Sequence, residues 1–314
     1  MRNATIDMPV TLTVASKIRD YFMLTKFTLS FLVVYTCVIS YLLVPTVTFN
    51  LISILVLFVA GMCITGAANA INQSVEKDTD AVMRRTAKRP VASGRMSQRE
   101  GLIFAYTLGT IGVLTVGFYF NWLAAGLSLF SLFLYSYIYT PLKKVNSIAV
   151  LVGAFPGALP CLIGWVAGTG MLNPFAALPG SSEGAVVTNA GGYVLFAIQF
   201  LWQFPHFWAI AWLAHKDYAK AGFKLLPGNT GPDRFSALQA IIYSVIMLPV
   251  GMLPYYYHVS GVLSFWILLF CNLWMVGVSV RLFIKMNANA ARWVMFSAYF
   301  YLMVVFLSLL LDKI

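Results

Sequence analysis

The chain has 314 residues, of which 60% are hydrophobic and only 10% are charged, and its mean hydropathy is +0.82. This composition excludes a soluble globular protein. The formal net charge of +11 would suit a nucleic acid partner, but the basic residues follow the connections between apolar runs. We therefore predict no nucleic acid partner and a chain in contact with membrane lipid.

Apolar runs long enough to cross a bilayer, which takes about 20 residues each, recur along the whole chain. They predict an all-α integral membrane protein with nine transmembrane helices. The approximate spans are Phe27–Val47, Leu51–Ile71, Gly101–Phe120, Trp122–Tyr139, Ile148–Ala167, Gly192–Leu213, Ala237–Tyr257, Val262–Phe283 and Trp293–Leu311.

The basic residues predict how the chain is oriented. Of the 21 Lys and Arg, 20 fall before span 1 or in alternate connections, and only Lys313, in the tail, breaks the pattern. The positive-inside rule then predicts a cytoplasmic N-terminus and a C-terminus outside. In a bacterium this corresponds to a multi-pass protein of the cell (inner) membrane.

Three regions follow from the spans: an N-terminal cytoplasmic segment (1–26), one membrane domain (27–311) and an outer tail (312–314). The N-terminal segment lacks the pattern of a cleavable signal or transit peptide, and Val10–Leu24 is expected to form an amphipathic helix on the membrane. The segment Gly168–Gly191 is expected to be a loop. The four cysteines lie within spans without paired spacing, so we expect buried thiols.

A polar segment after span 2 carries the first candidate site. Asn72, Glu76 and Asp80 are successive i, i+4 positions, so a helix would align them on one side, whereas Asp78 points elsewhere. Oxygen ligands of this kind suit Mg²⁺, which proteins usually hold with one or two carboxylates together with substrate phosphates. Asn69, one turn deeper, is either a further oxygen ligand or a partner for a neighbouring helix.

A dense basic run follows immediately. Arg85, Lys88 and Arg89 stand in a segment that also contains Pro90 and would turn back over the acidic side chains. Arginine matches phosphate oxygens with two parallel hydrogen bonds. A patch that binds anionic lipid is the competing interpretation.

A second polar segment lies in span 6 and the connection after it. Gln203 and the ionisable His206 are functional candidates because polar groups inside a membrane span are costly. Pro205 would kink the helix beside them. In the following connection, Lys216 and Asp217 repeat the combination of acid and base more sparsely.

These motifs resemble a known family. Asn72-Gln-x-x-Glu76-x-x-x-Asp80 is similar to the first acidic motif of the UbiA superfamily of intramembrane prenyltransferases. Its continuation through Arg89-Pro90 resembles the narrower signature of the protoheme IX farnesyltransferase (heme O synthase) family, across about residues 20–310. Further segments carry the same resemblance: Tyr139-Thr-Pro141-Leu142-Lys143, Gly153-Ala-x-Pro156-Gly157-Ala-Leu-Pro160, Trp202-Gln203-x-Pro205-His206-Phe207 and Lys216-Asp217-Tyr218.

The resemblance implies a nine-helix UbiA-like bundle and a Mg²⁺-dependent reaction. Farnesyl diphosphate would lose diphosphate, the vinyl group of heme b would attack the allylic cation, and water would complete heme O. A heme A synthase or terminal oxidase would receive the product. The implied residues are Asn72, Glu76, Asp80 and Asp217 for metal; Arg85, Lys88, Arg89, Lys143 and Lys216 for diphosphate; and Gln203 and His206 for heme, with His206 as iron ligand or propionate partner.

Some positions depart from the superfamily pattern. Glu76 stands where Asp is usual, and no second Asp-rich motif follows span 6, where Gln203, His206 and Asp217 stand instead. This difference favours a heme acceptor over the alternative, prenylation of an aromatic quinone precursor. A transporter of an anionic lipid or metabolite is a second alternative, although transporters usually place binding groups near the bilayer midplane.

Overall fold

The computed structural model describes residues 13–178, 188–228 and 231–314. In this part of the chain every regular element is helical, and β-pairing is limited to two isolated bridges. The α-helices are α1 (Val14–Thr25), α2 (Phe27–Leu43), α3 (Leu51–Val75), α4 (Lys77–Val82), α5 (Gln98–Tyr119), α6 (Trp122–Phe133), α7 (Thr140–Leu142), α8 (Ala149–Thr169), α9 (Gly191–Lys220), α10 (Arg234–Val250), α11 (Leu253–Tyr256), α12 (Val262–Lys285) and α13 (Ala288–Leu311). A π-helical turn, Leu134–Tyr139, joins α6 to α7.

The helices confirm the predicted all-α membrane protein. Among the described residues, eight helices are long and apolar enough to span a bilayer. A ninth span results if α1 and α2, which meet at an angle of 48°, are counted as one bent span. The orientation of the termini stays a prediction.

Side-chain caps define where several helices begin. Asn50, Ser97, Asn121, Asp233 and Asn287 each accept a hydrogen bond from the backbone N–H three residues later. Such caps satisfy N–H groups that have no partner inside the helix. The short polar connections therefore set the boundaries that apolar composition alone locates only approximately.

Close helix packing builds the bundle around α8, which contacts α2, α6 and α9. Small residues permit this approach: a Cβ added to Gly164 would overlap the carbonyl of Cys37, and one added to Gly112 would lie 2.7 Å from Ile64 Cγ1. Glycine at such contacts is typical of membrane helices, whose association depends on tight packing. All four cysteines carry free thiols; Cys37, Cys161 and Cys271 are buried, and Cys63 is half-buried.

Ion pairs attach α1 to the segment that follows α4 and to the first turn of α5. Asp20 is buried and lies 2.9 Å from Arg95, and Lys17 lies 2.8 Å from Glu100. The helix expected at Val10–Leu24 is thus observed from Val14 to Thr25, and residues 10–12 fall outside the described residues. The other side of α1 exposes apolar residues such as Ile18.

The tail after α13 packs back on the bundle. Asp312 accepts a 2.7 Å hydrogen bond from the backbone N–H of Ser264 in the first turn of α12. Lys313 donates to the carbonyls of Leu42 and Val44, both at 2.7 Å, at the end of α2. Lys313, the one basic residue that departs from the alternating charge pattern, therefore donates to carbonyls that have no partner inside the end of α2.

Candidate active site

Three of the four predicted metal ligands, Asn72, Glu76 and Asp80, lie along one side of a nearly continuous helix. The backbone N–H of Asp80 donates to the carbonyl of Glu76 at 2.7 Å, so helical spacing persists from α3 into α4. Asn72 Nδ2 donates to Glu76 Oε2 at 2.7 Å. All three side chains are buried and line one cavity of about 250 Å³.

Each carboxylate of this set is paired with a cation. Lys143 Nζ lies 2.6 Å from Glu76 Oε1, and Arg89 donates to both carboxylate oxygens of Asp80 at 2.7 and 2.6 Å. Burial lowers the pKa of Lys143, and the neighbouring Glu76 carboxylate opposes that change. Paired charges are the form in which buried carboxylates are tolerated.

The basic segment after α4 folds back over the cavity as predicted. Thr86 Oγ1 donates to the carbonyl of Asp80 at 2.9 Å, and the buried side chains of Met83 and Val91 anchor the segment to the bundle. Arg85 lines the cavity together with Tyr218. Lys88, by contrast, is exposed and does not line it.

The π-helical turn before α7 places two tyrosines and a lysine in the cavity wall. Tyr135, Tyr139 and Lys143 all line the cavity. The turn widens the helix by one residue, and such turns occur often at functional sites. Gly153 permits the arrangement, since a Cβ there would lie 2.6 Å from the Tyr139 ring.

Lys26 is a cavity residue that sequence reasoning missed. It lies at the bend between α1 and α2 with a positive φ of 47°, and its Nζ is 3.5 Å from Asn72 Oδ1. The sequence carries one signal of it, a lysine just before span 1, but the positive-inside rule alone already accounts for a basic residue there. Among the described residues that line the cavity, four side chains are basic and two are acidic, a formal excess of two positive charges.

Aromatic side chains form the opposite wall. The His206 ring stacks on Trp202 with centroids 5.0 Å apart and meets Tyr299 edge-on at 4.6 Å. His206 Nδ1 is buried with no hydrogen-bond partner among the described residues. Phe207 and Tyr299 also line the cavity. A polar ring atom without a partner, held between aromatic groups, is available to a ligand.

Gln203 occupies a different environment from the one expected. Its Nε2 donates to the carbonyls of Ala154 at 3.1 Å and Gln199 at 3.0 Å, and its side chain packs against Gly157. The amide therefore joins α9 to α8 and does not line the cavity, although Gln203 and His206, three residues apart, lie near one another on the helix surface.

Two further predicted residues are not brought to the cavity. Lys216 is exposed and Asp217 is half-buried near the end of α9, and neither lines it. Within the described part of the chain, no three His, Cys, Asp or Glu side chains are grouped so that they could hold a metal. The available metal ligands are thus the amide of Asn72 with two carboxylates, a donor set that suits Mg²⁺ completed by water or phosphate oxygens.

An apolar groove adjoins the cavity within the membrane region. Leu29 and Tyr135 line both, and the groove continues past Val33, Leu57 and Ile64. Asn69, the residue considered as a further metal ligand, lines this groove and donates to Ser30 Oγ at 3.1 Å. The site thus combines a cationic, acid-containing head with an apolar channel.

A family model described as the UbiA prenyltransferase family matches residues 33–309. The chain belongs to the UbiA prenyltransferase family. The match covers nearly the whole described bundle, so the family relationship concerns the complete membrane domain and includes both polar segments.

Curated relatives match this chain over nearly its whole length. It is 40% identical to a protoheme IX farnesyltransferase of Cytophaga hutchinsonii, with 96% of this chain and 99% of the relative covered. A protein of the same name from Flavobacterium johnsoniae is also 40% identical, over 96% of this chain and 97% of the relative. The Myxococcus xanthus protein of that name is 36% identical, over 96% of each.

Solved structures share the UbiA fold at low identity. A digeranylgeranylglyceryl phosphate synthase gives a TM-score of 0.74 at 18% identity, over 95% of this chain and 98% of that chain. A UbiA homolog from Archaeoglobus fulgidus bound to GPP and Mg²⁺ gives 0.60 at 15% identity, over 92% and 99%. These likenesses confirm the UbiA-like bundle.

Proposed function

We propose that this protein transfers the farnesyl group of farnesyl diphosphate to a vinyl group of heme b, with addition of water, giving heme O and diphosphate. The observation that supports this most directly is the junction of the cationic, acid-containing cavity with an apolar groove. The names of the full-length relatives point to the heme acceptor.

The cationic cavity would receive the diphosphate. Lys26, Arg85, Arg89 and Lys143 converge there, and their positive charge would favour the departing group. Asn72, Glu76 and Asp80 would hold Mg²⁺, which when bound neutralises part of the diphosphate charge and promotes its departure. Arg89 and Lys143 would then turn from their carboxylates towards the phosphate oxygens.

The apolar groove would hold the farnesyl chain. Because Leu29 and Tyr135 line both spaces, a chain lying in the groove would present its first carbon to the cavity. The allylic C–O bond would break there, and the rings of Tyr135 and Tyr139 would stabilise the cation by their π faces. Aromatic walls would also limit its premature reaction with water.

The acceptor would approach from the aromatic side. The terminal vinyl carbon of heme would form the new C–C bond, and the adjacent carbon would become a cation that takes up water and releases a proton. His206, whose Nδ1 has no partner among the described residues, would contact the heme either through iron or at its edge. Gln203 would act indirectly by fixing α9 against α8.

The surroundings follow from this proposal. We propose the inner membrane of a bacterial cell as the location, in line with the bacterial relatives, and membrane lipid as the environment. Because the product is a modified heme, a heme A synthase or a terminal oxidase would receive it.

The test is product formation by the purified protein in lipid nanodiscs. Heme b, farnesyl diphosphate and Mg²⁺ should yield a heme whose mass increases by one farnesyl group and one hydroxyl group, as measured by mass spectrometry. Prenylation of an aromatic quinone precursor instead would contradict the heme acceptor. In sealed vesicles, uptake of intact farnesyl diphosphate without any product would instead indicate a transporter.

A further inference from the structure

A second chamber of about 600 Å³ adjoins the cavity at the end of the bundle that the sequence predicts to be cytoplasmic. It lies between the connection after α7, the end of α9 and the segment that follows α9. Tyr218, Phe223 and Leu225 line both spaces and form a partition between them. The other lining residues include Asn146, Ser147, His215 and Lys224.

The partition is attached to the active-site wall. The backbone N–H of Lys224 donates to the carbonyl of Lys143 at 2.8 Å, and Lys143 Nζ lies 5.2 Å from the centre of the Phe223 ring. Gly222, with φ of +73°, makes the turn that returns Phe223 to the bundle. The two spaces are therefore separated by two aromatic rings and a leucine.

The charge of the chamber differs from that of the cavity. His215 and Lys224 can carry positive charge, and among its described lining residues there is neither Asp nor Glu. The Lys224 side chain is exposed and has no partner among the described residues, so its ammonium is free for an anion. The chamber thus suits a ligand with carboxylates at one edge.

The size of the cavity leads to the same conclusion. Pockets for ligands of drug or cofactor size measure about 300–1,000 Å³, whereas the cavity offers about 250 Å³ and must also receive diphosphate. A heme macrocycle and a diphosphate together need more space than this cavity encloses. Heme carries its two propionates on one edge and its vinyl groups towards the other, so it can extend through the partition into the chamber.

We propose that the chamber binds the propionate edge of heme, with Lys224 and His215 contacting the carboxylates and Tyr218 and Phe223 flanking the macrocycle. The vinyl edge then reaches His206 and the allylic carbon. This proposal rests on the proposed function. It places His206 at the vinyl end of the heme, so the propionates are bound by residues of the chamber and not by residues of the cavity.

Binding without farnesyl diphosphate tests the chamber separately from turnover. Heme b and its dimethyl ester, in which both propionates are neutral, are titrated into the protein in nanodiscs, and the Soret band reports the dissociation constant. For each variant, the dissociation constant of the ester is divided by that of the free acid. Partition of each heme into lipid affects all variants alike, so it cancels when these ratios are compared. The wild-type protein should prefer the free acid by about 10-fold or more, as expected for charge-assisted contacts.

Variants identify the residues responsible. The double variant Lys224→Met/His215→Gln should lose the preference for the free acid, while binding the ester as the wild type does. Lys224→Arg should retain the preference. Lys216→Met serves as the matched control, because Lys216 is exposed next to His215 on α9 but does not line the chamber. A preference unchanged in the double variant, or lost equally in Lys216→Met, overturns the proposal.

The possible failures are distinguishable. A protein that makes farnesylated heme but never prefers the free acid refutes the chamber and leaves the function standing. A protein that makes no farnesylated heme and binds neither heme b nor its dimethyl ester refutes both the chamber and the proposed function.

Discussion

Arg89 donates from one guanidinium nitrogen to both oxygens of Asp80, nine residues earlier, at 2.7 and 2.6 Å. The Asp80 side chain is almost completely buried, with 1% of its surface exposed. The contact holds the basic segment over α4. It also keeps Asp80, proposed to bind the metal, and Arg89, proposed to bind phosphate, on the same side of the cavity. Both side chains become available to ligands once the ion pair separates.

Asp80→Asn should lower farnesyl transfer by at least about 100-fold, because a neutral amide replaces one of the carboxylates that would hold the Mg²⁺ that promotes departure of diphosphate. Turnover of heme and farnesyl diphosphate in nanodiscs is the measurement. Asp78→Asn is the matched control, since Asp78 is exposed two residues away. Full activity of Asp80→Asn would remove Asp80 from the site, and an equal loss in both variants would indicate a general effect of charge.

Lys143→Met should both reduce turnover and destabilise the protein. It leaves the buried Glu76 carboxylate without its cation, which costs about 3–5 kcal/mol when a buried pair is broken. Thermal unfolding in detergent and the KM for farnesyl diphosphate are measured in parallel. The adjacent Lys144 is exposed, so Lys144→Met should behave like the wild type.

Lys26→Met should raise the KM for farnesyl diphosphate by about 10-fold, the effect of one charge-assisted contact. Because Lys26 contacts Asn72 at a distance of 3.5 Å and has no carboxylate within hydrogen-bond distance among the described residues, stability should change little. Lys285→Met, at an exposed position at the end of α12, is the control. An unchanged KM would show that Lys26 serves topology alone.

Gly157→Ala should destabilise the protein by about 1–3 kcal/mol, as overpacking does. The new methyl group would overlap the Gln203 side chain, which joins α9 to α8. Thermal unfolding reports the loss, and Gly126→Ala is the control because an added Cβ there meets nothing within 4 Å. If both variants unfold alike, the contact between Gln203 and Gly157 is not a tight one.

Lys313→Met should lower the free energy of unfolding by about 1 kcal/mol, a value reduced for partial exposure of the side chain. The change removes the ammonium that donates to Leu42 and Val44 at the end of α2. Thermal unfolding of Lys313→Arg and Lys313→Met separates charge from geometry. Stability equal to the wild type in both would indicate that the contacts of Lys313 contribute nothing to the stability of the bundle.

The sequence by itself determined the helical bundle and one side of the site. Span positions follow from long apolar runs, since the membrane requires backbone hydrogen bonds to be satisfied within each helix. The alignment of Asn72, Glu76 and Asp80 is equally local, because it depends only on helical periodicity and on continuity from α3 into α4. The fold-back of the basic segment was predicted from nearby turn residues.

Only the tertiary structure decided which distant side chains meet. Lys143 reaches Glu76 through the π-helical turn, and Lys26 reaches Asn72 through the bend between α1 and α2, neither of which periodicity specifies. Gln203 and His206 are close in sequence, yet one packs between helices and the other lines the cavity. Their difference depends on how α9 is rotated against α8, and that rotation is set by the packing of many small and large side chains together.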